Sequence, residues 1–273
     1  MLGEICTYTK ALCEKKGFKI TVIFLVAYSI FISLYYAYKQ QGLDATQMFH
    51  PAAISPIGSD TDYIWIFCRL YPFLAILPAG FALFTDRKTK IVQLMKVRVG
   101  CTRYYMGKLC AVFFTAFIAF VLPLLLGLAL NVIIFPSEAT EMLHCWPTYS
   151  NVYFMYGQEY LFPDLFFANV YLYYIVFVFY FGICTACVAV FVAGLSTFRI
   201  KFQILLFLPY YLVTYILQNI GKLNNYYVSI DFYVQAFEES ANKNFLYYSS
   251  INLILLCIGV ICTLWNGKKN ELT

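Results

Sequence analysis

Apolar residues gather along this chain in long runs broken by short polar stretches, and six of the runs are long enough to cross a bilayer core, which takes about 20 helical residues. They cover residues 20–38, 63–84, 109–134, 168–194, 202–219 and 246–265. None contains an acid, and the single charge inside them is Arg69. The pattern predicts an all-α integral membrane protein, with residues 1–273 forming one transmembrane domain. Ahead of the first run, Leu2, Ile5, Cys6, Thr9, Leu12 and Cys13 recur at helical spacing, as in an amphipathic helix lying at the membrane interface. The first run follows Lys15, Lys16 and Lys19 but ends in Tyr35, Tyr36 and Tyr38 without a small-residue cleavage pattern, so it reads as an uncleaved anchor helix.

The polar stretches carry a charge asymmetry. Fifteen of the nineteen Lys and Arg residues fall in the N-terminal segment, the second and fourth connections and the tail, while ten of the fourteen acids fall on the other side. Basic residues are retained on the cytoplasmic side, so both termini are expected inside a cell membrane. Composition adds that 62% of residues are hydrophobic and 12% charged, more apolar surface than a soluble core hides. The net charge of +5 is spread over separate connections and forms no nucleic-acid stripe. Most of the ten cysteines sit in apolar runs as small packing residues, including the Cys184 and Cys187 pair.

Within the fourth run, Gly182, Ala186, Ala189 and Ala193 line one side of a helix, where small residues admit a close neighbour, in the same chain or across a dimer. The same run carries Tyr171, Tyr173, Tyr174, Phe177, Phe179, Tyr180 and Phe181. These rings fit either an aromatic-lined route for an amphipathic substrate or ordinary packing and a lipid-facing belt. Arg69 fits either a contact to an anionic group or a side chain reaching for the interface. The acids Glu138, Glu141, Glu159 and Asp164, interleaved with aromatic residues and with no Lys or Arg between residues 135 and 167, form either a surface for a cationic amphipathic peptide or an interfacial loop obeying the charge bias.

No phosphate loop, zinc signature or nucleophile elbow occurs, and buried carboxylates of the kind ion-coupled carriers use are missing from the six runs. The chain is therefore not expected to be an enzyme or to bind a cofactor or metal. The connection after the second run is more telling. Asp86, Arg87, Lys88, Thr89 and Lys90 precede a short helix with Ile91, Leu94 and Met95 on one face; Gly100 stops it, Thr102 is placed to cap the next helix, and Tyr104, Gly107 and Lys108 lead into the third run.

This stretch resembles the coupling helix of type-2 ABC exporter permeases. Asp86 matches the family's acid, Thr89 its threonine, Leu94 and Met95 its apolar pair, and Tyr104, Gly107 and Lys108 its closing residues. Lys88 stands where a glycine is usual, and Gly100 near a usual serine. The resemblance implies a permease subunit with six spans, an N-terminal interfacial helix, a second permease copy (identical or not), membrane lipids around it, and a separate cytosolic ABC ATPase that carries ATP and Mg. Exporters of peptides and antibiotics, and self-protection permeases against bacteriocins, share this organisation. The rival expectation is a sensor or immunity subunit that binds a peptide at the outer face without moving it.

Overall fold

The computed structural model describes residues 2–43, 49–58, 63–136, 141–142, 146–147, 160–198, 200–224, 228–237 and 244–269. Eleven α-helices follow one another among these residues: α1 (Leu2–Cys13), α2 (Lys16–Lys39), α3 (Ile64–Ile76), α4 (Ala82–Lys88), α5 (Ile91–Val99), α6 (Cys101–Ile134), α7 (Pro163–Ala168), α8 (Val170–Leu195), α9 (Leu208–Asn224), α10 (Ile230–Val234) and α11 (Phe245–Lys269). A 3-10 turn over Gln203–Leu206 leads into α9, and a two-residue antiparallel pairing joins Glu141–Met142 to Trp146–Pro147.

Among the described residues, five helical stretches are long and apolar enough to cross a membrane: Lys16–Lys39, Cys101–Ile134, Val170–Leu195, Gln203–Gly221 and Phe245–Asn266. The second expected span, 63–84, is not one helix. It divides into α3 of 13 residues and α4 of 7 residues, separated by a turn over 77–81. Pro78 has no N–H to offer the helical ladder, and Gly80 fits where a Cβ would press on the Ile76 carbonyl. The ladder resumes at α4 and carries Asp86, Arg87 and Lys88 as its last turn, where basic side chains favour the helix dipole. Pro72 and Pro123 lie within α3 and α6, which continue through them.

The 34 residues of α6 extend about 51 Å, well beyond a hydrocarbon core of about 30 Å. Its surplus turns emerge at one end of the bundle beside α1, α4 and α5. We call this the basic end, since Lys15, Arg87, Arg103 and Lys108 meet there. The helix starts at Cys101 with Gly100 in the cap position at φ 88°, a backbone angle that suits glycine, so Thr102 falls in the first turn and does not cap.

Helix α8 occupies the centre. Its most apolar window is 72% buried, against 17% for the stretch ending in α9, so α8 is shielded by protein while α9 turns Leu208, Leu212, Ile216 and Ile220 outward. The stripe of Gly182, Ala186, Ala189 and Ala193 packs on α6 of the same chain: Ala186, Ala189 and Ala193 share a buried cluster with Ala111, Val112 and Ala116, and a Cβ on Gly182 would collide with Val121. On the other side of α8, Gly194 meets Gly259 of α11 backbone to backbone, an approach any side chain would block. Most rings of α8 serve packing. Tyr173, Tyr174, Phe177 and Phe181 are buried in a cluster with Phe67, Tyr71, Phe120 and Tyr210, and Phe179 points out.

At the opposite end, the chain folds back into the bundle. Residues 50–58 are buried although they form no helix, because Asn131 of α6 donates to the carbonyls of Pro51 and Ile54 and accepts from Ser33 of α2. Ala236, beyond α10, donates its N–H to the Ile57 carbonyl at 2.7 Å, and the Tyr173 hydroxyl bonds the Ala236 carbonyl. His50 accepts from the Ala52 N–H at 3.2 Å and packs at a tilt against the Tyr171 ring, and burial pushes the pKa of its imidazole down to about 4.

Candidate functional site

The sequence points to residues 86–108, and the structure splits them into a buried anchor and an outward helix. The anchor is built on Asp86. The residue is 6% exposed, and one carboxylate oxygen, Oδ2, accepts from Lys108 Nζ at 2.7 Å and from the Tyr104 hydroxyl at 2.8 Å. Lys108 is equally buried, so each charge has its counter-charge within a short, charge-assisted hydrogen bond. Both partners come from the first two turns of α6, four residues apart on one face.

Helix α1 closes the anchor from the side. The Lys108 ammonium lies 5.2 Å from the centre of the Tyr8 ring, which meets the Tyr104 ring edge-on at 6.1 Å. A Cβ on Gly107 already touches the Tyr8 ring, so a residue that looked like a mere helix entrance is the seat for α1. Burial, and then the negative charges of Glu4 and Asp86, push the Tyr8 phenol up and keep it protonated. Arg103 ties the start of α1 down through Glu4 at 3.1 Å, and Leu12 is fully buried. Of the stripe expected at the membrane interface, Leu12 joins the cluster of Tyr104, Tyr105 and Leu109, with Tyr8 packed beside it, while Cys6 is exposed.

Lys15, in the joint between α1 and α2, is a third cation beside the anchor. Its Nζ is 4.0 Å from Asp86 Oδ1, beyond hydrogen-bond reach, and is itself buried without a hydrogen-bond partner. Burial pushes the ammonium pKa down; the nearby Asp86 raises it and Lys108 lowers it again.

Arg87 leaves the anchor in another direction. Its guanidinium donates to the carbonyls of Thr197 at 3.1 Å and Ile200 at 3.3 Å and to that of Phe198, closing the turn that follows α8. That turn is also held from α11, where Asn266 donates to the Thr197 hydroxyl at 3.2 Å. Thr89 caps its own helix by bonding the Thr85 carbonyl at 3.0 Å, and Lys88 and Lys90 are exposed. Lys90 takes a left-handed φ of 59°, which turns the chain sharply from α4 into α5.

Helix α5 is the outward part. The sequence places Ile91, Leu94 and Met95 on one apolar face, and the structure divides it: Met95 packs with Val92 on the body of the protein, while Ile91 and Leu94 are 43% and 68% exposed. Asp86, Tyr104, Gly107 and Lys108 are thus brought together, Arg87 is sent to the neighbouring turn, and Lys88, Ile91 and Leu94 face outward.

The remaining candidates lie elsewhere. Arg69 is exposed on α3 and donates to Gln218 of α9 at 3.1 Å; Gln218 in turn donates to Asp231 of α10 at 2.9 Å. Asp164 is exposed in the first turn of α7, Glu141 lies in the short strand pairing, and Glu138 and Glu159 fall outside the described residues, as do Tyr149, Tyr153, Phe154 and Tyr156. Sequence reasoning missed three participants: Tyr8, Lys15 as a member of the anchor, and the turn at 196–198. The visible signal for the last was Thr197 beside Gly194, a hydroxyl able to close a helix end. Comparison of the chain with protein-family models, with curated proteins and with solved structures found no match.

Proposed function

We propose that this chain is the membrane permease subunit of an ATP-driven ABC exporter that moves a hydrophobic or amphipathic substrate, while ATP and Mg are bound and ATP hydrolysed on a separate cytosolic ATPase. The observation that carries the reading is α5. It is a nine-residue helix held at both ends, with Ile91 and Leu94 facing outward beside the exposed cations Lys88 and Lys90. An apolar pair beside exposed cations suits a protein partner that covers the apolar side chains and pairs with the lysines. The resemblance of residues 86–108 to a coupling helix names that partner as the ATPase.

In this reading the basic end faces the cytoplasm, as the distribution of Lys and Arg favours, and both termini lie there. The broken pair α3 and α4 makes the sixth crossing. A second permease covers α3 and α9, where Arg69, Gln218 and Asp231 form a polar ladder on an otherwise apolar surface. A charge left against lipid costs roughly 2.5–3.5 kcal/mol at a helix centre and less toward an end, where Arg69 sits, and a polar protein neighbour relieves that cost.

The test is purification of the full chain from native membranes in mild detergent. A nucleotide-binding subunit with a phosphate loop should copurify and hydrolyse Mg-ATP, and the double change Ile91→Asp and Leu94→Asp should release it while the permease still inserts and unfolds at its usual temperature. A permease that purifies without a nucleotide-binding subunit, or a double variant that retains one, rejects the reading.

A further inference from the structure

Between the α1–α2 joint and the 77–81 turn lies a cleft of about 270 Å³, walled by Leu12, Ile20, Leu77, Pro78 and Phe81 and containing Lys15. Three features set its chemistry. The wall is mainly apolar. Among the described residues that line it the one cation is Lys15, whose ammonium nitrogen is buried and has no hydrogen-bond partner among those residues, although a lysine ammonium has three donors to satisfy. And the local charge is unbalanced: Lys15 and Lys108 share one carboxylate, Asp86, whose Oδ2 is already taken by Lys108 and Tyr104.

We infer that this cleft binds one anionic membrane phospholipid, its phosphate accepting from Lys15 and the start of an acyl chain lying along Ile20. The mouth argues for a lipid over a soluble anion. Ile20 lines the cleft and is 55% exposed, and Ile23, one turn further along α2, is 67% exposed, so the opening continues into the apolar flank of a spanning-length helix. Lys16 and Lys19 stand exposed on the same first turn, and each basic residue near an anionic leaflet adds about 1 kcal/mol of attraction. The volume is just below the roughly 300 Å³ at which pockets begin to enclose whole small molecules, so the cleft takes a headgroup and the first part of a chain while the rest stays in the bilayer. Bound there, the lipid supplies the anion that Asp86 cannot, and joins α1, α2 and the break between α3 and α4. The inference needs no ATPase and stands or falls apart from the exporter reading.

The experiment is native mass spectrometry of the purified full chain titrated with phosphatidylglycerol or phosphatidylcholine of the same acyl chains. Wild type should retain one phosphatidylglycerol in preference to phosphatidylcholine. Lys15→Gln should weaken that retention about tenfold, the worth of one charge-assisted hydrogen bond, and Lys15→Arg should restore it. Thr85→Leu, which narrows the cleft without altering charge, should also displace the lipid and keeps the inference testable should Lys15→Gln fail to fold. Equal retention of the two lipids, or retention unaffected by both Lys15→Gln and Thr85→Leu, overturns the site. Displacement of the lipid by inorganic phosphate alone overturns the lipid in favour of a soluble anion.

Discussion

Changing Asp86 to asparagine keeps the shape of the side chain and removes the one negative charge between Lys15 and Lys108. Taking one member out of a buried ion pair costs about 3–5 kcal/mol, because the other charge is left in a poor solvent. The amide oxygen can still accept from Tyr104, a bond worth about 1 kcal/mol, so the low end, about 3 kcal/mol, is expected. Lys108→Met should cost less, about 2 kcal/mol, since Asp86 then keeps the Tyr104 hydroxyl and moves toward Lys15. The double variant no longer strands the Lys108 ammonium and should be no worse than Asp86→Asn alone, a coupling of about 2 kcal/mol. Thermal unfolding in detergent can be followed with a thiol-reactive dye, because Cys184 and Cys187 are buried until the bundle opens. At roughly 2–4 °C per kcal/mol for a chain of this order of size, Asp86→Asn should fall by about 6–12 °C. An Asp86→Asn midpoint within about 2 °C of wild type, or a double variant equal to the sum of the singles, refutes the anchor as drawn.

Two further outcomes follow from other parts of the bundle. The His50 imidazole ordinarily titrates near 6.5 but is held down to about 4 by burial, so the unfolded chain binds a proton there before the folded one does. The folded state is therefore favoured above pH ~6.5 and loses up to about 3 kcal/mol as pH falls toward 4, and His50→Gln should flatten that decline in the unfolding midpoint; an unchanged slope contradicts the burial. Gly194→Ala drives a Cβ into the Gly259 backbone and should cost about 1–3 kcal/mol, whereas Gly3→Ala, with open space around it, should be neutral or slightly stabilising. Equal midpoints for the two alanine variants would remove the α8–α11 crossing from the account.

What the sequence made legible depended on the range of the interaction. The apolar runs that became α2, α6, α8 and α11 announce themselves locally, because covering a backbone in lipid demands an unbroken helix. The run at 63–84 looks the same by hydropathy, yet Pro78 and Gly80 interrupt it, and α4 absorbs Asp86 that reads as a connection. The small-residue stripe on α8 was visible, but its neighbour was not, since one sequence cannot say that α6 supplies the opposing Ala111 and Ala116. For α5 the period was legible but not the facing: Val92 and Met95 lie against the body, so Ile91 and Leu94 are left outside. The anchor was half legible. Asp86, Tyr104, Gly107 and Lys108 come from one stretch, whereas Tyr8 and Lys15 reach it from more than 70 residues away in sequence. Asn131, a lone amide in an apolar run, was the available clue that residues 49–58 fold inward.

The Arg87 side chain has a mechanical meaning. Its guanidinium is planar and grips carbonyls at three points of one turn, and the arm that carries it is the last turn of a short helix welded to α6 through Asp86. Such a joint resists rotation as well as pulling. Through Arg87 the end of α4 is tied to the foot of α8, and through Thr197 and Asn266 that foot is tied to α11. With Gly194 and Gly259 in backbone contact only a few residues above, α8 and α11 are joined at two neighbouring levels, one polar and one by bare backbone.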